Sequence, residues 1–290
     1  MVKVYRKFDK KQLDIEYNAR GTVSDYTIFN RQNDVFSQEA RDSVDCLVDV
    51  PYGKHPDEIL DIFPAGKNAP VFIYIHGGYW RANSQKQAAA MAPNFVQHGV
   101  SVVPINYSLA PGASLDTITT QCRAAVAWVW NNGKKIFDAD IDRFFVGGTS
   151  AGGHLTGMIL SAGWHDTQNV PVDFLKGALA LNGLYDLEPV RLSEPNQWIK
   201  LDEESARLNS PIHHLPKYGC PLVVSYGGSE TSEFKRQSNI YAAAWIEQSW
   251  PCLVFEVTER NHFNIPHDLR DPLKRLCREV FEMIGVKNSS

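Results

Sequence analysis

From residue 69 onward, short apolar runs alternate with longer stretches of helical spacing, and this alternation limits the fold more than any other feature of the chain. The run "APVFIYIHGG" at 69–78 is continuously apolar and rich in β-branched and aromatic residues, as a strand buried on both faces is. Strand-like runs of the same kind follow in "VSVVPINYSLAPG", "DRFFVGG", "KGALALNGLYDL", "PLVVSYGG" and "CLVFEVTE". Helical patterns fall between and after them: "SQKQAAAMAPNFVQHG", "LDTITTQCRAAVAWVWNNG", which stops at Asn131-Asn132-Gly133, "AGGHLTGMILSAG", "SEFKRQSNIYAAAWIEQSW" and "DPLKRLCREVFEMIG". Such an order predicts an α/β fold with a mostly parallel central sheet and helices on both faces. Ahead of it, "CLVDVPYG" and "EILDIFPA" flank "KHPD" and predict an antiparallel hairpin at one edge. Residues 1–40 read as one or two helices and a loop, open either to covering a pocket or to supporting a homodimer. Residues 188–217 lack strand signals and read as a small helical, cap-like insertion. Insertions there overlie the C-terminal ends of the strands, where open α/β sheets bind ligands. The whole of 1–290 is expected to form one domain.

Composition narrows the function classes. Net charge is −4 and no long basic run occurs, which argues against nucleic acid or an anionic membrane as partner. The longest apolar runs are too short to span a bilayer, and the N-terminal stretch has no apolar core of signal-peptide type. Five scattered cysteines without a CxxC pair suit reduced thiols, so a cytoplasmic location is expected.

One serine stands among glycines in "FFVGGTSAGGHL" at 144–155. A phosphate-binding Walker loop needs Gly-Lys followed by Ser or Thr, and a dinucleotide fingerprint needs G-x-G-x-x-G; neither is present. What fits is G-x-S-x-G, Gly148-Thr149-Ser150-Ala151-Gly152, between a predicted strand and a predicted helix. In a turn of that kind the serine hydroxyl is held clear of the backbone at a helix N-terminus.

A serine hydroxyl needs a base, an orienting acid and donors for the developing oxyanion. His262 in "VTERNHFNI" follows the last strand, where the chain order Ser, acid, His puts the base; His267 is the second candidate. Glu230, after "PLVVSYGG", leads as the acid, and Asp186, one strand earlier, is the alternative. Glu233 is assigned to the first turn of the next helix, where acids are favoured by the helix dipole alone. The loop "HGGYW" at 76–80 ends the first parallel strand, so the amides of Gly78, Tyr79 and Ala151 are the expected oxyanion donors, with Gly77 open in place of Tyr79. His213-His214 and His262-x4-His267 are the only dense histidine pairs, and neither has metalloenzyme spacing; no metal and no cofactor is expected.

With these pieces in place the chain resembles the α/β-hydrolase superfamily and, within it, the kynurenine formamidase (arylformamidase) group of serine hydrolases. The resemblance rests on "HGGYW" at 76–80, "SLAPG" at 108–112, "GGTSAGGHL" at 147–155, "NGLYDLEPV" at 182–190, "SEFKRQS" at 232–238 and "EYNAR" at 16–20. Relatives of this kind usually carry Asp where Glu230 stands. The resemblance implies hydrolysis of an N-formyl aryl amine such as N-formylkynurenine by Ser150, Glu230 and His262. Tyr79, Trp80, Tyr185, Trp198 and Phe263 are the expected aromatic walls for a small-molecule amide or ester. A carboxylesterase or a carbamate or amide hydrolase on the same scaffold is the alternative, and a catalytically silent binding protein is a third reading.

Overall fold

The computed structural model describes residues 2–286. Its eight strands are β1 (Leu47–Pro51), β2 (Ile59–Ile62), β3 (Ala69–Ile75), β4 (Ser101–Ile105), β5 (Ala139–Thr149), β6 (Gly177–Leu181), β7 (Leu222–Gly227) and β8 (Cys252–Val257). They form one sheet in the order β1-β2-β4-β3-β5-β6-β7-β8. The six strands from β4 to β8 across the sheet are parallel to one another, while β2 runs antiparallel to β4 and β1 antiparallel to β2. The expected edge hairpin is therefore present, and β3 and β5, the strands that carry the two glycine loops, lie side by side in the middle.

Strand periodicity explains how both faces are covered. In β3, Val71, Ile73 and Ile75 point into one core and Phe72 and Tyr74 into the other. The first core is closed by the helices Leu115–Phe137, Ala151–Leu160 and Ser232–Glu247, which bury Cys122, Ile159 and Trp245 among others. The second is closed by Ala92–Gln97, Thr27–Ser43 and Arg275–Ile284, through residues such as Phe95, Ala40 and Phe281.

Two helices differ from expectation. The stretch 84–99 is helical only at Ala92–Gln97, preceded by a 3-10 turn at Gln85–Gln87. Pro93 lacks an amide and disfavours helix before it, so the helix begins there. The chain ahead of it is left irregular and borders the central cavity. The helix from Leu115 does not stop at Asn131-Asn132-Gly133 but runs to Phe137. Asn131 and Asn132 turn their amides back onto the carbonyls of Ala127 and Trp128, and Phe137 buries its ring beyond them.

Within the stretch 188–217 lie the short helices Glu188–Arg191, Asn196–Ile199 and Glu203–Leu208 and a 3-10 turn at Pro211–His213. No helix among the described residues is long and apolar enough to cross a membrane.

Candidate active site

Ser150 sits between β5 and the helix Ala151–Leu160 with φ 57° and ψ −119°. A non-glycine residue there is strained, and the surrounding structure has to hold it. The flanking glycines make the turn sterically feasible. A Cβ on Gly152 would overlap the carbonyl of Ile75 at the end of β3, and one on Gly148 would overlap the carbonyl of Gly152. Strand and helix can close to this distance only without side chains at those two places.

Three side chains from separate strand ends converge. The Ser150 hydroxyl lies 2.9 Å from Nε2 of His262, and Nδ1 of His262 lies 2.7 Å from Oε2 of Glu230. Because the carboxylate can only accept, Nδ1 carries the proton and Nε2 is left to accept from the serine. The other carboxylate oxygen, Oε1, accepts from the backbone amide of Gly227 at 2.9 Å. All three residues are buried. The loops after β7 and β8 are joined by backbone hydrogen bonds from Gly228 to Val257 and from Ser229 to Arg260, which keep the Glu230 and His262 loops together.

The other candidates lie elsewhere. Asp186 accepts from the Tyr5 hydroxyl and from the Glu188 amide and does not touch His262. Glu233 is in the first turn of Ser232–Glu247, as expected, and pairs with Arg236 and Tyr17. His267 lines the same cavity but is held by Asn33 at 2.8 Å. Burial, with Arg270 and Arg260 beside it, pushes its pKa down to about 4. His154 is fully buried, accepts from the Trp80 indole and donates to the Asn209 carbonyl; burial lowers its pKa to about 4. His214 contacts the Arg207 carbonyl, and His213 belongs to the 3-10 turn before it.

The loop after β3 approaches the same point. Gly78 has φ 118°, and Tyr79 and Trp80 follow at 52° and 58°. His76 braces it by donating from Nδ1 to the Gly77 carbonyl at 2.8 Å, while its ring stacks on Tyr107. No acceptor among the described residues takes the amides of Gly78, Tyr79 or Ala151. The Ser150 amide, by contrast, is already shared between the Leu181 carbonyl and the Asn182 side chain.

A cavity of about 350 Å³ opens onto Ser150 and His262. Of the five expected aromatic walls, Tyr79, Trp198 and Phe263 line it. Trp80 and Tyr185 do not, and that expectation is corrected. The Trp80 indole is fully buried against His154. Tyr185 is fully buried and stacks on Tyr241 at 4.2 Å. Both fill core volume, the Trp80 indole bonded to His154 and the Tyr185 ring packed on Tyr241.

The sequence leaves residues 1–40 open between covering a pocket and supporting a dimer, and it does not point to a second contributor. Residues 17–33 form a wall of the cavity, including Tyr17, Arg20 and Tyr26. Phe263 stacks on Phe29 of this segment with ring centroids 5.9 Å apart. The second is Asn182, a fully buried amide at the end of β6 that touches both the Ser150 and the His262 loops. Its only signal in the sequence is a polar residue ending an otherwise apolar strand.

Two guanidiniums also line the cavity. Arg20 lies over the Tyr26 ring at 4.4 Å and Arg81 over the Trp198 ring at 3.5 Å. Neither forms an ion pair among the described residues, and Glu194 lines the cavity as well.

Comparison with known proteins agrees with this geometry at the level of fold and family. A family model described as BD-FAE matches residues 60–176. The kynurenine formamidase of Danio rerio is 34% identical over 258 residues, covering 86% of this chain and 85% of the relative. That of Salmo salar is 30% identical over 289 residues, covering 97% and 95%. A crystal structure described as a putative thioesterase from Silicibacter sp. superposes with a TM-score of 0.80 at 24% identity, over 95% of this chain and 98% of the other.

Proposed function

This chain belongs to the kynurenine formamidase family of α/β-hydrolases, and from that premise we propose that it hydrolyses N-formyl aryl amines with Ser150 as nucleophile, His262 as base and Glu230 as the acid that orients it. The observation that carries the reading is the unbroken relay from Glu230 through His262 to Ser150, at 2.7 and 2.9 Å, opening on an aromatic cavity.

The chemistry follows from the arrangement. Ser150 Oγ attacks the formyl carbon as its proton passes to Nε2 of His262, and Glu230 stabilises the imidazolium without taking the proton. The amides of Gly78, Tyr79 and Ala151 receive the oxyanion. Their freedom from protein acceptors supports this role, and the engaged Ser150 amide is unsuited to it. Collapse breaks the C–N bond as His262 gives its proton to the departing amine, leaving a formyl ester on Ser150. Water, deprotonated by His262, then attacks the ester carbon; the bond from that carbon to Ser150 Oγ breaks, His262 returns the proton to Oγ, and formate leaves.

The leaving group is assigned to the walls of Tyr79, Trp198 and Phe263. Arg20 and Arg81 suit a carboxylate on that group, and Glu194 suits an ammonium. N-formylkynurenine carries an aryl ring, a carboxylate and an ammonium together. Ester or carbamate hydrolysis needs the same relay, so rates decide between the readings. The test compares kcat/KM for N-formylkynurenine, p-nitrophenyl acetate and an aryl carbamate. The formamide should rank first; cleavage of the ester alone would replace the formamide reading with an esterase.

A further inference from the structure

We infer that Asn182 is a positioning residue that sets the distance between nucleophile and base, an inference that rests on the assignment of Ser150 and His262 above. The two side chains that must meet come from loops after β5 and β8, with β6 and β7 between them. Their 2.9 Å contact therefore depends on how the two loops are referenced to each other. Asn182, at the end of β6, supplies that reference.

Every polar atom of its side chain is engaged. Oδ1 accepts from the Ser150 amide at 2.9 Å and from the Thr149 hydroxyl at 2.8 Å. Nδ2 donates to the His262 carbonyl at 3.0 Å. Its own amide donates to the Ser225 carbonyl at 2.7 Å, which ties it to β7. One rigid planar group thus holds the backbone of the nucleophile on one side and the backbone of the base on the other. The site is fully buried, so no water can substitute for a missing partner without room being made. The backbone φ of 39° is one that asparagine tolerates better than most residues.

The amide chemistry is specific. Aspartate would keep the acceptor for Ser150 and Thr149 but would turn an oxygen toward the His262 carbonyl. It would also set a second carboxylate near Nδ1 of His262, which lies 3.4 Å from Nδ2. The imidazole is otherwise faced by Glu230, the Ser150 hydroxyl and the rings of Phe234 and Phe263. Alanine would release both loops at once.

The test uses the full chain carrying Asn182→Ala or Asn182→Asp, with folding checked by circular dichroism. Initial rates and the rate of Ser150 phosphonylation by a fluorophosphonate are measured. Asn182→Ala should lower kcat by about 10²-fold with KM little changed, since a misplaced reacting pair costs that order, and phosphonylation should slow in parallel. Asn182→Asp should lose less, and the acid limb of its kcat/KM profile should move to higher pH, because the added carboxylate favours imidazolium. Wild-type rates of catalysis and phosphonylation in a folded Asn182→Ala variant would overturn the inference. If Asn182→Ala does not fold, an unshifted profile and full kcat in Asn182→Asp would overturn it instead. Failure of the wild type to be labelled at Ser150 would overturn the nucleophile assignment itself, which separates the two failures.

Discussion

The hydroxyl of Tyr79 donates a 2.6 Å hydrogen bond to the backbone carbonyl of Tyr17, so the loop proposed to hold the oxyanion is fastened to the N-terminal segment. Tyr17 in turn donates its own hydroxyl to Glu233, while Glu16 accepts from the Glu233 amide and the Ser232 hydroxyl at the start of the helix after Glu230. Residues 16–17 therefore bridge the loop after β3 and the loop that carries the acid, as well as walling the cavity.

Removing that fastening should loosen substrate fit without touching the relay. Tyr79→Phe leaves the ring but strands the Tyr17 carbonyl, a loss of about 1–2 kcal/mol of stability. Its KM for N-formylkynurenine should rise more than its kcat falls. Urea denaturation and steady-state kinetics check the two parts.

The acid can be tested by exchange. Glu230→Gln keeps size but cannot hold the imidazole tautomer, so kcat should fall by about 10³–10⁴-fold. Asp186→Asn, whose carboxylate serves Tyr5 and the turn at Glu188, should keep near-normal kcat and change melting temperature instead. The reverse ranking would hand the orienting role to Asp186.

The turn around Ser150 has no room to spare. A methyl on Gly152 would meet the Ile75 carbonyl, which belongs to a central strand and cannot retreat. Gly152→Ala should therefore cost about 1–3 kcal/mol or more and reduce kcat as well, by displacing Ser150. A variant with wild-type urea midpoint and activity would show that the helix can withdraw after all.

Two cations on the cavity wall should select for an anionic leaving group. Arg20→Ala and Arg81→Ala should each raise KM for N-formylkynurenine severalfold and leave KM for neutral p-nitrophenyl acetate unchanged. Added salt should weaken the wild type toward the variants for the charged substrate only, since exposed charges are screened. Equal effects on both substrates would count against the carboxylate assignment.

Stability should fall in mild acid. Burial holds His76 and His154 neutral with pKa values of about 4, below the ordinary 6.5. A base whose pKa is lowered by folding binds protons more readily when unfolded, so its contribution is complete above pH 6.5. It is lost as pH falls toward 4. Urea midpoints measured from pH 7.5 to 4 should decline over that window, and His154→Gln should remove part of the slope.

Much of this was legible along the chain, and the reasons differ from element to element. β3 could be read as a buried central strand because both of its faces are apolar, which leaves no other place for it. The composition of 84–99 predicts a longer helix than the one that forms, because the effect of Pro93 on the preceding turn is local and strong. Trp80 and Tyr185 both stand next to loop residues in the sequence, yet neither ring lines the cavity. Adjacency in sequence does not decide which way a ring turns at a strand end, and packing against His154 and Tyr241 drew both inward.

The turn proposed to carry the nucleophile is in large part a property of contiguous residues: the backbone angles at Ser150 and the contact between Gly148 and Gly152 are set within five positions and can be read from the sequence, whereas the Ile75 carbonyl that Gly152 meets comes from β3, much earlier in the chain. Meetings between distant loops cannot be read in this way. Glu230 rather than Asp186 reaches His262 because the loops after β7 and β8 are hydrogen-bonded neighbours, and neighbourhood in a sheet comes from strand order. Asn182 spans two loops whose separation in the chain exceeds a hundred residues, and the wall made by residues 17–33 forms where Glu16 and Tyr17 dock on the helix Ser232–Glu247 and Thr27–Ser43 packs on the second core. Local sterics wrote the first kind of feature into the sequence; the second kind arises only when the sheet closes and brings strand ends together.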